Sequence, residues 1–240
     1  MRYIPLLTGL AFCVAICFGT AAQAQSTGDG SLPFPGKITG SVALTSDYIY
    51  RGISQTDEHP ALQGSVLYEH PAGPFISVWG SNVDFNDGDE ASVELDITAG
   101  FGGKVGNFSY KLGGIYYWYP GAEEKLGYDF IEGYTELGYD FGFAAIQGSV
   151  NYSPDFFANS GDAFYFKLGG SAPLPLNFKI AGHIAYQEFN RRGLDDYFDW
   201  GLGLTYSIAG FDLDARYYDT DINDLDGSGA RFVFTVSRAF

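Results

Sequence analysis

Carboxylates and amines recur at alternate positions inside runs that are otherwise aromatic and aliphatic. Glu94 and Asp96 are spaced this way, as are Glu132, with Glu136 four residues on, and Asp212, Asp214 and Arg216; Glu69, Lys111, Lys167, Lys179 and Arg231 sit in similar runs. In extended chain, side chains two apart share a face. A charge facing hydrocarbon costs about 2–4 kcal/mol for Lys or Arg at mid-depth, so such a face belongs in an interior. There it can line a water-filled pore and select among ions and small polar solutes, or its acids and bases can pair and fill the space. The mixture of signs leaves both open, with the pore as the reading we carry forward.

Other chemistry is thinly supported. There are three histidines, His59, His70 and His183, and no Gly-x-Ser-x-Gly motif. His59 and His70 fall at opposite ends of one run, so they cannot share a site. A lipid-acting enzyme built on His183 or His59 is the catalytic alternative. The stretch 100–106 is glycine-rich with a lysine, but Val105 stands where a phosphate loop needs Ser or Thr. The acidic stretch 219–230 has Asp224 where a calcium loop needs Gly and Ala230 where it needs Glu. It reads as a solvated loop. Both cysteines, Cys13 and Cys17, lie in the apolar leader, so the rest of the chain has neither thiolate nor disulfide. No cofactor is expected.

Twelve strand-like runs position these side chains: 37–50, 60–70, 74–84, 91–103, 107–119, 127–141, 143–152, 162–172, 176–187, 197–208, 211–219 and 229–240. The clearest sets Val93, Leu95, Ile97, Ala99 and Phe101 against Ser92, Glu94, Asp96 and Thr98. In 74–84 the phase is ambiguous, because Val78 and Trp79 compete for the outside. Connections alternate in length. Longer ones at 51–59, 85–90, 120–126, 153–161, 188–196 and 220–228 take turns with tight ones at 71–73, 104–106, 142, 173–175 and 209–210. That is the up-and-down pattern of outer-membrane barrels, and Greek-key crossings would break it. Tyr48, Tyr50, Tyr116, Trp118, Tyr119, Tyr197, Phe198 and Trp200 fall at the long-loop ends and read as an interfacial girdle.

Met1-Arg2, an apolar run from Ile4 to Phe18 and Ala-Gln-Ala read as a signal peptide over 1–24, cut between Ala24 and Gln25. A flexible leader over 25–36 follows, then a barrel over 37–240. Without Arg2 the chain carries 12 basic against 29 acidic residues, a net charge of −17, which argues against nucleic acid as a partner. The last run places Phe232, Phe234 and Val236 on one face and ends on Phe240, the pattern of an assembly signal read by the outer-membrane insertion machinery. As the strand that closes onto 37–50, it brings Arg231 within plausible reach of Asp47.

The stretch 46–56 (Ser-Asp-Tyr-Ile-Tyr-Arg-Gly-Ile-Ser-Gln-Thr), followed by Pro60-Ala-Leu-Gln-Gly64, resembles the opening motif of the TorF family of porin-like proteobacterial proteins. Val78-Trp-Gly-Ser-Asn-Val-Asp84 and Tyr117-Trp-Tyr-Pro-Gly121 are similar to later parts of that pattern. The resemblance covers nearly the whole chain after the leader. It implies an outer-membrane porin-like barrel and no substrate, with Asp47, Tyr50, Arg51, Gly52, Ser54, Gln55 and Thr56 as motif positions at the pore mouth. Two roles are open for them: Arg51 and Gln55 fold inward and select solute, or the motif pins the loop to the barrel wall.

The sequence therefore predicts an all-β, transmembrane, up-and-down antiparallel barrel of about 12 strands in a Gram-negative outer membrane. Small polar solutes pass through it passively. Glu94, Asp96, Lys111, Glu132, Glu136, Lys167, Lys179, Asp214, Arg216 and Arg231 line its lumen. Its expected partners are membrane lipid, lipopolysaccharide, the assembly machinery and a small polar solute. The alternatives are the lipid enzyme and a plugged structural or adhesive barrel.

Overall fold

A computed structural model describes residues 35–86, 88, 91–191 and 194–240. The expected signal peptide, its cleavage point at Ala24 and Gln25, and all but the end of the 25–36 leader lie outside the described residues.

The strands are β1 (Lys37–Thr45), β2 (Ile49–Tyr50), β3 (Ile53–Ser54), β4 (Ala61–Glu69), β5 (Pro74–Asn82), β6 (Val93–Val105), β7 (Phe108–Trp118), β8 (Phe130–Asp140), β9 (Ala145–Phe156), β10 (Gly161–Leu174), β11 (Phe178–Phe189), β12 (Tyr197–Ile208), β13 (Phe211–Thr220) and β14 (Arg231–Ala239). Twelve of them close an antiparallel barrel in the order β1–β4–β5 and onward to β14, which returns to β1. Only β2 and β3 stand apart, as a two-stranded hairpin.

Alternation is what makes the wall two-sided. Leu62, Leu168, Leu202 and Phe232 point outward and are 63%, 58%, 57% and 68% exposed. A monomer in water rarely shows so continuous an apolar surface; a barrel wall in hydrocarbon requires it. Trp79 is buried and Val78 exposed, which settles the phase of β5. Tyr116, Trp118 and Phe198 stand on the outside near the long-loop rim, and the Tyr116 hydroxyl donates to Asp129 at 2.8 Å. These three belong to the interfacial girdle.

The seam pairs Ser41 with Ala239 and Thr45 with Thr235. Beyond it Gly40 and Phe240 exchange two backbone hydrogen bonds of 2.9 Å, and the Phe240 ring covers Gly40. Deleting Phe240 removes both bonds and the ring, a loss of about 1 kcal/mol per bond before packing. We expect a lower yield of heat-modifiable barrel on refolding into detergent micelles, with Phe240→Tyr restoring it. An unchanged yield on deletion would show that the seam closes without its last residue.

Three expectations change. The first run does not continue to Tyr50: β1 ends at Thr45, where the Ser46 N–H donates to the Phe234 carbonyl and the Ser46 hydroxyl accepts from the Phe234 N–H. The chain then turns into the lumen, because Asp47 is captured there by Arg231. Tyr48 and Tyr50 are accordingly buried and leave the girdle, as do Tyr119 and Tyr197, whose side chains point inward. The third change is at 153–161, where β9 and β10 extend and leave only a short helical turn at Phe157–Asn159 in place of a long loop.

Candidate functional site

Segment 46–60 is organised around a hairpin tip at Arg51-Gly52, between β2 and β3. Both residues have positive φ, 45° and 83°, the backbone of a type I′ turn. Asn-Gly is the usual sequence there. An arginine in the left-handed region costs roughly 1 kcal/mol or more, and its side chain shows what holds it.

Arg51 reaches across the lumen. Its Nη2 donates to both carboxylate oxygens of Glu132 on β8, at 2.7 and 2.8 Å, and its Nη1 donates to the Gln187 side-chain oxygen on β11 at 2.7 Å. The guanidinium lies over the rings of Tyr165, Tyr50 and Phe156, at 4.2, 4.7 and 5.2 Å. Burial alone lowers the pKa of the group; Glu132 more than reverses this and holds it above its ordinary value. Glu132 also accepts from Tyr117 and Asn151. The planar fork and its stacking rings suit Arg and not Lys.

The root of the segment is equally fixed. Asp47 receives the Ser54 and Thr56 hydroxyls at 2.7 and 3.0 Å and pairs with Arg231 at 3.0 Å. The Ser54 N–H donates to Gly227 and the Asp84 N–H to Gln55. Nearer the rim, Phe85, Tyr119, Tyr128 and Phe157 pack edge-to-face and stacked, with Tyr128 and Phe157 4.4 Å apart.

The lumen thus has two halves. On the long-loop side its lining residues Glu94, Asp96, Glu132, Gln187 and Asp199 are buried under the hairpin and the aromatic lid. On the short-turn side Lys111, Glu136, Lys167, Lys179, Asp214 and Arg216 are only half-buried and line a wetted vestibule. Lys111 faces Glu136 across β7 and β8, and Arg216 pairs with Asp214 at 3.1 Å. All ten charged residues placed in the lumen from sequence lie on inward positions. Asp47, Tyr50, Arg51, Gly52, Ser54, Gln55 and Thr56 are buried within the lumen, and Arg51 folds inward and pins the segment to the wall.

Sequence reasoning did not single out Asn151 or Asp199, and it put Tyr117, Tyr165 and Gln187 on inward faces without foreseeing their partners. Tyr117 and Asn151 meet Glu132 from the neighbouring strands, Tyr165 and His183 meet Asp199 along one side of the wall, and Gln187 meets Arg51 from the hairpin; no local pattern marks these pairings. His183 faces the lumen, with Nε2 2.9 Å from Asp199, so it is not presented to lipid acyl chains.

A family model described as "Bacterial protein of unknown function (Gcw_chp)" matches residues 29–240. No curated protein matches the sequence. Among solved structures, one described as "KdgM porin" is similar at TM-score 0.58 and 8% identity, covering 85% of this chain and 98% of that one. A NanC porin structure is similar at TM-score 0.56 and 8% identity, over 85% of this chain and 99% of that one. At this identity they share the fold with this chain.

Proposed function

We propose, from the premise that this chain belongs to the Gcw_chp family of bacterial proteins, that it is an outer-membrane channel of porin type for small polar solutes. Segment 46–60 is its constriction. The observation that carries the reading is the closed barrel with an apolar exterior and a charged, half-wetted lumen. A purely structural barrel has no use for the vestibule: six charged side chains on its wall are kept in contact with water. The resemblance of 46–56 to the TorF porins belongs to this proposal, as do the outer-membrane location and contact with lipopolysaccharide.

The test is planar-bilayer conductance with a reversible staple. A Cβ at Gly227 would lie 3.3 Å from the Ser54 Cβ, close to disulfide range after a small shift. Outside the leader the chain has no cysteine, so Ser54→Cys with Gly227→Cys makes one defined crosslink between hairpin and outer loop. We expect conductance from the unmodified barrel, fewer openings when the staple is oxidised, and recovery on reduction. Absence of conductance in every state would leave a plugged structural barrel.

A further inference from the structure

Five carboxylates are buried in the lumen among the described residues: Asp47, Glu94, Asp96, Glu132 and Asp199. Three have a basic partner: Asp47 has Arg231, Glu132 has Arg51, and Asp199 has His183. Glu94 and Asp96 have none among the described residues. They are 0% and 1% exposed, two apart on β6, and so on one face. Both carboxylate oxygens of Asp96 and one of Glu94 lack a hydrogen-bond partner; the other Glu94 oxygen accepts only a 3.3 Å bond from the Tyr48 hydroxyl. The hydroxyl of buried Tyr119 lies against Glu94 and also lacks a well-formed partner. Uncompensated carboxylates do not persist in dry surroundings.

The geometry points to a binding site for one divalent metal ion at Glu94 and Asp96, completed by the hydroxyl oxygens of Tyr48 and Tyr119. Two carboxylates match a double positive charge. No third His, Cys, Asp or Glu joins the pair among the described residues; the neutral oxygens beside it are the Tyr48 and Tyr119 hydroxyls. An all-oxygen set selects a hard cation, and calcium, with its flexible coordination, fits better than magnesium, which keeps several waters. Tyr48 belongs to the inward segment and Glu94 and Asp96 to the wall, so the ion ties the two together. The site itself stands whether or not the barrel conducts.

The barrel is refolded in detergent with EDTA or with calcium chloride, and one tightly bound calcium per barrel is expected by titration calorimetry. Bound calcium should raise the melting temperature, and terbium, seated beside Tyr48 and Tyr119, should give sensitised emission that calcium displaces. Glu94→Gln with Asp96→Asn should weaken binding by at least roughly tenfold and abolish the calcium dependence of melting. Should that variant not refold, Tyr119→Phe keeps both carboxylates and still weakens binding. Two results would overturn the site. In one, terbium and calcium responses persist in the double variant and so arise from outer-loop acids. In the other, melting ignores calcium and follows pH alone, leaving a shared proton as the neutralising partner.

Discussion

Replacing Arg51 with alanine is expected to lower the melting temperature of the folded barrel and raise its conductance together. The substitution leaves Glu132 buried with only Tyr117 and Asn151 as donors. Removing one partner of a buried pair costs about 3–5 kcal/mol, because the remaining charge is uncompensated. The rings of Tyr165, Tyr50 and Phe156 lose their cation as well. Conductance rises for a separate reason: Arg51 is the contact that anchors the hairpin tip to β8 and β11. The two effects separate in the double variant. Arg51→Ala with Glu132→Ala removes the stranded charge, so stability recovers in part while conductance stays high. Arg51→Lys keeps the charge but loses the fork, and should fall between wild type and Arg51→Ala on both measures. Wild-type melting and wild-type conductance in Arg51→Ala would show that the buried pair is not a strut.

The contrast between wall and hairpin explains how much of this was legible. Alternation marks the face of the barrel strands apart from β5, whose phase is ambiguous, because lipid on one side and water or charge on the other demand it; Glu94, Lys111, Lys167 and Asp214 follow directly. The seam is also legible, since an even number of strands brings the first and last together and sets Asp47 near Arg231. The inward turn after Thr45 is not. Tyr48 and Tyr50 stay in phase with Val42 and Leu44, with only Ser46 interrupting the apolar face between them. A period reports that a face is apolar; it does not report whether the apolar surroundings are lipid or a lid of Phe85, Tyr128 and Phe157. Tyr119 and Tyr197 mislead in the same way. The one local hint was Arg-Gly between Tyr50 and Ile53, a turn-forming pair at the start of the stretch 51–59 that reads as a long loop. The partners of Arg51 lie 81 and 136 residues away, and no local pattern encodes them.

The arrangement also sets how the segment can move. Its root is held by buried charge and hydroxyl contacts at Asp47. Its tip is held by a buried pair that water cannot reach. Because β2 and β3 form a sheet separate from the barrel, releasing the tip breaks that pair and leaves the hydrogen bonds of the wall in place.

Gly52→Val is expected to displace the hairpin while leaving the barrel folded. Gly52 has φ +83°, and a Cβ there would lie 2.3 Å from Thr220 Cγ2 and 2.8 Å from Asp199 Cβ. Neither atom is the free end of a long side chain, so neither can step aside cheaply. The unfavourable backbone costs about 1–3 kcal/mol for a non-glycine residue and the overpacking a further 1–3 kcal/mol or so. β2 and β3 form no ladder with the barrel strands, so expelling the hairpin relieves the strain without opening the wall. Trypsin reports the position directly. In the wild type Arg51 is 5% exposed and should resist cleavage. In Gly52→Val the chain should be cut after Arg51, identified by mass, within a barrel that is still heat-modifiable and conducts more. Gly52→Ala should show a smaller effect. Adding Thr220→Ser removes the Cγ2 methyl yet keeps the hydroxyl that donates to Ser228, and should restore part of the protection. If Arg51 stayed uncut and conductance unchanged in a folded Gly52→Val barrel, the hairpin would be a fixed part of the wall and the constriction would have to lie elsewhere.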